Sequence, residues 1–263
     1  MNLVYFHSPK GGVGKTTLVA NLAFALQRLG HQVVVLDLDS QNALRLHLGL
    51  PMAERRGLVP QLQLGEDWRN LIIETPTGVG LLPYGQASRE QRDAFEAALR
   101  TQPECLELGL GSLLSQPGCI LLADLPSGPS LALDALARLP AMGIATLLAD
   151  GASAATLPLI GQDGYLGEAG ARRALYIINQ VHIRSRLNRD VTEFFQHKLG
   201  ASLLGMVHRD EAVPEATASQ KSLFDYAPAS AITQDLEDIA RNISRLLPDA
   251  YAHSAMKFSL SDM

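Results

Sequence analysis

The run Lys10-Gly11-Gly12-Val13-Gly14-Lys15-Thr16-Thr17 holds the residue types that a bound phosphate chain requires. Gly11, Gly12 and Gly14 admit backbone angles closed to other residues and let the main chain pass close to a ligand, so their N–H groups can turn onto phosphate oxygens. A helix opening near Lys15 would aim the positive end of its dipole at the same point. Lys15 supplies a mobile point charge for β- and γ-phosphates. Thr16 offers a hydroxyl to Mg²⁺, which takes oxygen ligands in octahedral geometry. Val13 and Thr17 complete the expected nucleotide-binding positions. The bland alternative is a glycine turn before a helix. It loses to the agreement between this loop, an apolar run before it and acidic residues at two further apolar runs.

Those acids are Asp37-Leu38-Asp39, after Val33 to Leu36, and Asp124-Leu125-Pro126-Ser127-Gly128, after Ile120 to Ala123. Carboxylates at the C-terminal ends of central strands face the ligand crevice of an open α/β sheet. Asp39 is expected to orient a water for attack on a γ-phosphate. Asp37 is expected to hold Mg²⁺ waters or the loop, and Asp124 to hold Mg²⁺ through water. Gly128 could offer a backbone N–H that senses the γ-phosphate. A lone Asp after a strand is more often a helix cap; here the Mg²⁺ demand of the phosphate loop favours the site reading. His182, His197 and His208 lack metal-ligand spacing.

The elements that would position these groups are legible as apolar runs: Leu3 to Phe6, Val33 to Leu36, Gly80 to Pro83, Ile120 to Ala123, Ala145 to Leu148, Leu175 to Ile178 and Leu203 to Val207. The runs are continuous and not alternating, as expected of parallel strands covered on both faces. Between them, Thr17 to Leu29 carries apolar residues at helical spacing and Gly30 to stop it. Arg89 to Arg100 and Asp235 to Leu247 show similar stripes. Ala149 to Gly170 is rich in Ala and Gly and shows no clear boundary. The expected fold class is α/β, a doubly wound, mostly parallel sheet with helices on both faces. One domain is expected over 1–250, with a flexible tail over 251–263.

Composition sets the surrounding limits. With 263 residues, 47% of them hydrophobic and 19% charged, a core needs no staples. The net charge of −5 argues against non-specific DNA binding, which rests on Lys and Arg neutralising phosphates. Cys105 and Cys119 form no CxxC pair and are expected to be reduced thiols. No window reaches the ~20 apolar residues of a membrane span. Met1 to His7 runs straight into the loop and does not read as a cleavable signal. A cytoplasmic chain is expected.

The segment Lys10 to Thr17 resembles the deviant Walker A box of the MinD/ParA family of P-loop ATPases, of the SIMIBI class. Asp37-Leu38-Asp39 and Asp124-Leu125-Pro126 match that family's pattern in order and spacing, and the resemblance covers essentially the whole chain. It implies ATP and Mg²⁺ as cofactors, a homodimer formed around ATP and slow, partner-regulated hydrolysis. For Lys10, otherwise a solvated lysine outside the minimal loop pattern, it implies a contact across the dimer interface to the partner's nucleotide, as an arginine finger acts in trans. Lys10, Lys15 and Asp39 are then the expected catalytic set. The resemblance assigns Asn179 to the adenine edge, which a side-chain amide suits with its donor and acceptor; a turn asparagine is the plainer reading. Relatives carry Ile-Pro where this chain has Val207-His208, and Asp210 remains an expected contributor to base binding.

Within the family, His208-Arg209-Asp210-Glu211-Ala212, Leu82-Pro83-Tyr84-Gly85-Gln86 and Asp67-Trp68-Arg69 resemble the BcsQ (YhjQ) branch, which serves bacterial cellulose biosynthesis. That likeness implies a small BcsR-like partner, contact with cellulose synthase secretion components, and peripheral placement at the inner membrane or cell pole through partners. Some members of the branch have lost one or both loop lysines; this chain keeps Lys10 and Lys15. Two alternatives stay open. A ParA-type partitioning ATPase would bind duplex DNA, with Arg184, Arg186 and Arg189 as its local support. A MinD-like positioning ATPase would need an amphipathic anchor. The stripe Ile239, Ile243, Leu246 and Leu247, with Arg241 and Arg245, reads rather as a core helix.

Overall fold

The apolar runs become a sheet of eight strands among the described residues, in the order β3-β4-β2-β5-β1-β6-β7-β8. The computed structural model describes residues 2–161, 164–167, 170 and 173–247. The expected tail over 251–263 lies outside them, as does the end of the expected domain at 250. The strands are β1 (Leu3–His7), β2 (Gln32–Asp37), β3 (Ile73–Glu74), β4 (Gly80–Leu82), β5 (Cys119–Asp124), β6 (Met142–Leu148), β7 (Leu175–Val181) and β8 (Leu203–His208). All seven expected runs are strands, each extended or trimmed by a few residues. Every neighbouring pair is parallel except β3 with β4. The two-residue β3 escapes the sequence reading because it is too short for an apolar run. It forms by hairpin closure through Thr75, whose N–H donates to Val79 O at 3.3 Å, and it ends the sheet in a short edge.

Alternate residues of each strand serve opposite faces. Leu3, Tyr5, Leu36, Leu121, Ala123, Ala145 and Ile178 join one buried cluster. Val4, Phe6, Val33, Val35, Leu122, Ile144 and Ile177 join the other, with Leu18, Leu22 and Leu26 of the helix Lys15–Arg28. Two buried faces explain why the runs are apolar without alternation. The helix Lys15–Arg28 ends as read: Gly30, at φ 92°, donates to Gln27 O at 2.8 Å and His31 N to Leu26 O at 3.2 Å, a Schellman closure. On the first face Trp68 is 1% exposed and lies against Gly109, where an added Cβ would sit 2.2 Å from the indole ring.

The last described helix, Ala231–Leu246, buries Ile232, Leu236, Ile239 and Ile243 against the second face. That is the core role read from its stripe. It begins earlier than the expected Asp235 because Ser230 caps it, accepting from Thr233 N at 3.4 Å. Gly205 in β8 lets Ile239 close on the sheet; a Cβ there would fall 2.6 Å from Ile239 Cγ1. Both cysteines are free and buried. No helix among the described residues is long and apolar enough to cross a membrane.

Candidate functional site

β1 lies between β5 and β6, at the point where the strand order reverses, so a crevice opens beyond its C-terminal end. The segment from Ser8 to Gly14 fills that position and leads into the helix Lys15–Arg28. Gly12 and Gly14 sit at φ 74° and 78°, in the left-handed region that glycine tolerates. Gly14 precedes the helix and no side chain caps it, nor does an acidic residue stand in its first turn. Five other helices are closed by Ser88, Ser130, Asp150, Ser185 and Ser230, while the short helices from Leu44, Cys105, Gly111 and Ala212 also lack a side-chain cap. The first N–H groups of a helix lack intrahelical partners, so an uncapped start leaves donors and a positive dipole end for an anion.

Lys15 and Thr16 meet one carboxylate. Lys15 Nζ forms an ion pair with Asp124 Oδ1, the two side chains being 4% and 0% exposed. Thr16 Oγ1 donates to Asp124 Oδ2 at 2.6 Å. Burial raises the Asp124 carboxyl above the usual range, against the pull of Lys15. Asp37 stands opposite Asp124 in the β2–β5 register and is fully buried. Burial first, and the neighbouring Asp124 second, hold its carboxyl well above the usual range. Asp37 does not hold the loop Lys10–Thr17. Its oxygens accept from Asp39 N at 3.0 Å and Leu44 N at 3.2 Å, which fixes the turn after β2. Asp39 is half-buried at the head of that turn and accepts from Gln41 N at 3.0 Å.

Lys10 turns the other way. Its Nζ bonds both oxygens of Asp150, at 2.8 and 3.0 Å, with side chains 25% and 41% exposed. Asp150 also accepts from Ser153 N at 2.7 Å, capping the helix Gly151–Thr156. Burial alone would raise this carboxyl; the bonds from Lys10 and Ser153 outweigh it and hold it below the usual range. The neighbouring Ala149 O accepts from Asn188 Nδ2 at 2.8 Å. The sequence reading missed Asp150. The only signal was an acid just past a strand, as at Asp37 and Asp124, inside the Ala- and Gly-rich stretch that showed no pattern. The N–H of Gly128, expected to face a γ-phosphate, donates to Ser8 O at 2.7 Å.

His7 ends β1 beside this cluster. Its Nδ1 lies 3.1 Å from Tyr165 Oη, and its buried Nε2 has no partner among the described residues. Burial, with Lys15 nearby, pushes the imidazole down to about 3.

At the other end of the crevice is a cavity of about 280 Å³, lined by Gly14 and Thr17 on one side and by Asn179, Val207, His208 and Asp210 on the other. The expected base-end residues are therefore brought together. Asn179 Nδ2 donates to Val13 O at 2.8 Å, so its amide braces the phosphate loop. A Cβ on Gly14 would lie 2.7 Å from that Nδ2. Asp210 Oδ1 accepts from Ala212 N at 2.9 Å. Of the three arginines weighed for DNA, Arg186 lies 4.0 Å from Asp190 and Arg189 donates to Ile183 O at 2.9 Å. Among the described residues no cluster of three or more His, Cys, Asp or Glu could hold a metal unaided. Thr16 offers an oxygen ligand and Asp124 a carboxylate that can hold a metal-bound water, which suits a Mg²⁺ ion completed by phosphate and water.

The sheet order and the glycine loop define a MinD/ParA-type P-loop fold. Residues superpose on MinD of Aquifex aeolicus with a TM-score of 0.74 at 19% identity, covering 92% of this chain and 96% of that one. MinD of Pyrococcus horikoshii, solved with Mg-ADP, gives 0.71 at 24% identity over 93% and 96%. The chain belongs to the family described as "Cellulose biosynthesis protein BcsQ", whose profile matches residues 1–243. It is 28% identical to the cellulose biosynthesis protein BcsQ of Salmonella typhimurium over 240 residues, 91% of this chain and 93% of that protein. It is also 30% identical over 247 residues to an uncharacterized ATP-binding protein of Methanocaldococcus jannaschii, covering 90% of this chain and 85% of that one.

Proposed function

We propose that this chain is a slow regulatory ATPase that binds Mg-ATP, dimerises around it, and supports assembly, localisation or regulation of a bacterial cellulose synthase secretion complex. The observation that carries the reading is the buried Lys15–Asp124–Thr16 cluster at an uncapped helix start. It places one cation and one hydroxyl beside helix N–H groups that no side chain caps, a set that suits a polyphosphate. Membership of the BcsQ family supports the cellulose role, and the Mg-ADP and AMPPNP bound to similarly folded proteins support the nucleotide.

In this reading Gly11 to Thr17 hold the phosphates, Lys15 leaving Asp124 to meet them. Mg²⁺, when bound, would neutralise phosphate charge, with Thr16 and, through water, Asp124 and Asp37 as its protein side. Asp39 orients the attacking water from the turn that Asp37 fixes. Lys10 leaves Asp150 and crosses to the partner's nucleotide. Asn179 and Asp210 border the base. A small BcsR-like protein and the secretion components are the expected partners, and they bring the chain to the membrane surface.

Calorimetry with Mg-ATP, paired with light scattering in apo, ADP and ATP states, tests this reading. The parent chain should bind ATP and become a dimer, and Lys15→Ala should lose both. ATP affinity unchanged by Lys15→Ala would remove the site.

A further inference from the structure

His208, at the base end of the crevice, is held in one orientation. Its Nδ1 lies 2.8 Å from Asp235 Oδ2, and its backbone N donates to the same oxygen at 2.9 Å. Asp235 belongs to the helix Ala231–Leu246 and its side chain is 18% exposed. An ionised carboxylate only accepts hydrogen bonds, so Nδ1 carries a proton toward Asp235, and the neutral tautomer that fits this contact has its lone pair on Nε2. Nε2 has no partner among the described residues, while the residue lines the cavity at the base end.

The same logic fixes the second polar group there. Asn179 gives its Nδ2 to Val13 O, a carbonyl that cannot be an alternative donor. Its Oδ1 is then the atom left for the cavity. Arg209, a donor lining the same space, is paired with Glu211 at 3.1 Å. The remaining walls include Leu18, Val213, Pro214, Ile232 and Leu236, apolar surfaces suited to a flat heterocycle.

We infer that His208, set by Asp235, is a base-discriminating residue: its Nε2 acceptor selects a purine bearing an exocyclic amino group at the six position over one bearing a carbonyl. This rests on the nucleotide reading above and deepens it. A six-amino purine offers two N–H donors to two acceptors, His208 Nε2 and Asn179 Oδ1. A six-oxo purine sets its own acceptor against both, buried Asn179 and the 38% exposed His208, and leaves them unpaired beneath the bound base; polar groups left without partners are what make such sites selective. Asp235 acts through His208 and is a positioning residue.

The test is equilibrium binding of non-hydrolysable ATP and GTP analogues, and of inorganic triphosphate, to the full chain and to His208→Ala and Asp235→Ala. The parent should favour the ATP analogue. Both variants should lose about tenfold of that preference while holding triphosphate as the parent does, which also shows that the phosphate loop is folded. An unchanged ATP-to-GTP ratio in a His208→Ala chain that still binds triphosphate overturns the inference alone. If the parent binds neither nucleotides nor triphosphate, the nucleotide reading fails and this inference with it.

Discussion

Two lysines five residues apart hold two aspartates of different standing. The Lys15–Asp124 pair is buried on both sides. Removing one partner of such a pair typically costs about 3–5 kcal/mol, because a desolvated charge is left behind. The Lys10–Asp150 pair is partly open to solvent, and exposed pairs are worth about 0.2–1 kcal/mol. On the proposed reading, in which Lys10 crosses to the partner's nucleotide, this weaker pair is the one to be given up. With Mg-ATP, Asp150→Asn should lower the apparent dimer dissociation constant by about two- to fivefold per protomer, read by light scattering across a concentration series. A weaker dimer in that variant would assign Asp150 to the dimeric state instead. The lysines were legible because the loop is local in sequence, and Asp124 because it ends an apolar run. Asp150, 140 residues from Lys10, becomes its partner only when the sheet brings strand ends together, and Asp235, 27 from His208, only when the helix Ala231–Leu246 packs on β8. No spacing in the chain announces such pairs.

At the level of elements, the strands that position the site were legible because burial on both faces forces continuous apolar runs. What escaped was set by something other than hydrophobicity. β3 exists through a hairpin closed by Thr75, and the helix Ala231–Leu246 starts at a serine cap one turn ahead of the expected Asp235. The contact of Trp68 with Gly109 is of the same kind: the sequence shows a tryptophan and a glycine 41 positions apart, and only packing makes the glycine obligatory. Gly109→Ala would drive a methyl into the indole ring. Overpacking of this kind costs about 1–3 kcal/mol. Urea unfolding followed by the emission of Trp68, the chain's one tryptophan, should show the midpoint falling with the slope unchanged. An unshifted midpoint would mean that the helix Cys105–Gly109 can move away freely.

The molecule as a whole should carry an acid limb written by His7. In the folded chain its imidazole titrates at about 3; an unfolded histidine titrates near 6.5. Between those values the unfolded chain binds more protons, so stability is complete above about pH 6.5 and falls as pH drops. The loss from this one group is roughly 2 kcal/mol by pH 5. Asp37, held above its usual range, acts with the opposite sign, since its protonated form is favoured in the fold. His7→Asn isolates the histidine. Its stability by chemical denaturation should fall less between pH 7 and pH 5 than that of the parent, by about that amount, whatever constant cost the smaller side chain adds. Equal slopes for the two chains would show that the imidazole is not the group titrating.

The carboxylate of Asp124 already sits against Lys15 before any nucleotide arrives, doing in miniature what a phosphate oxygen would do. An incoming ligand must therefore evict a tenant. Its measured affinity is the difference between two ion pairs in the same desolvated spot, so a weakly charged anion gains almost nothing by the exchange, while a polyphosphate that also engages the N–H donors of the loop gains on every contact the aspartate could never make.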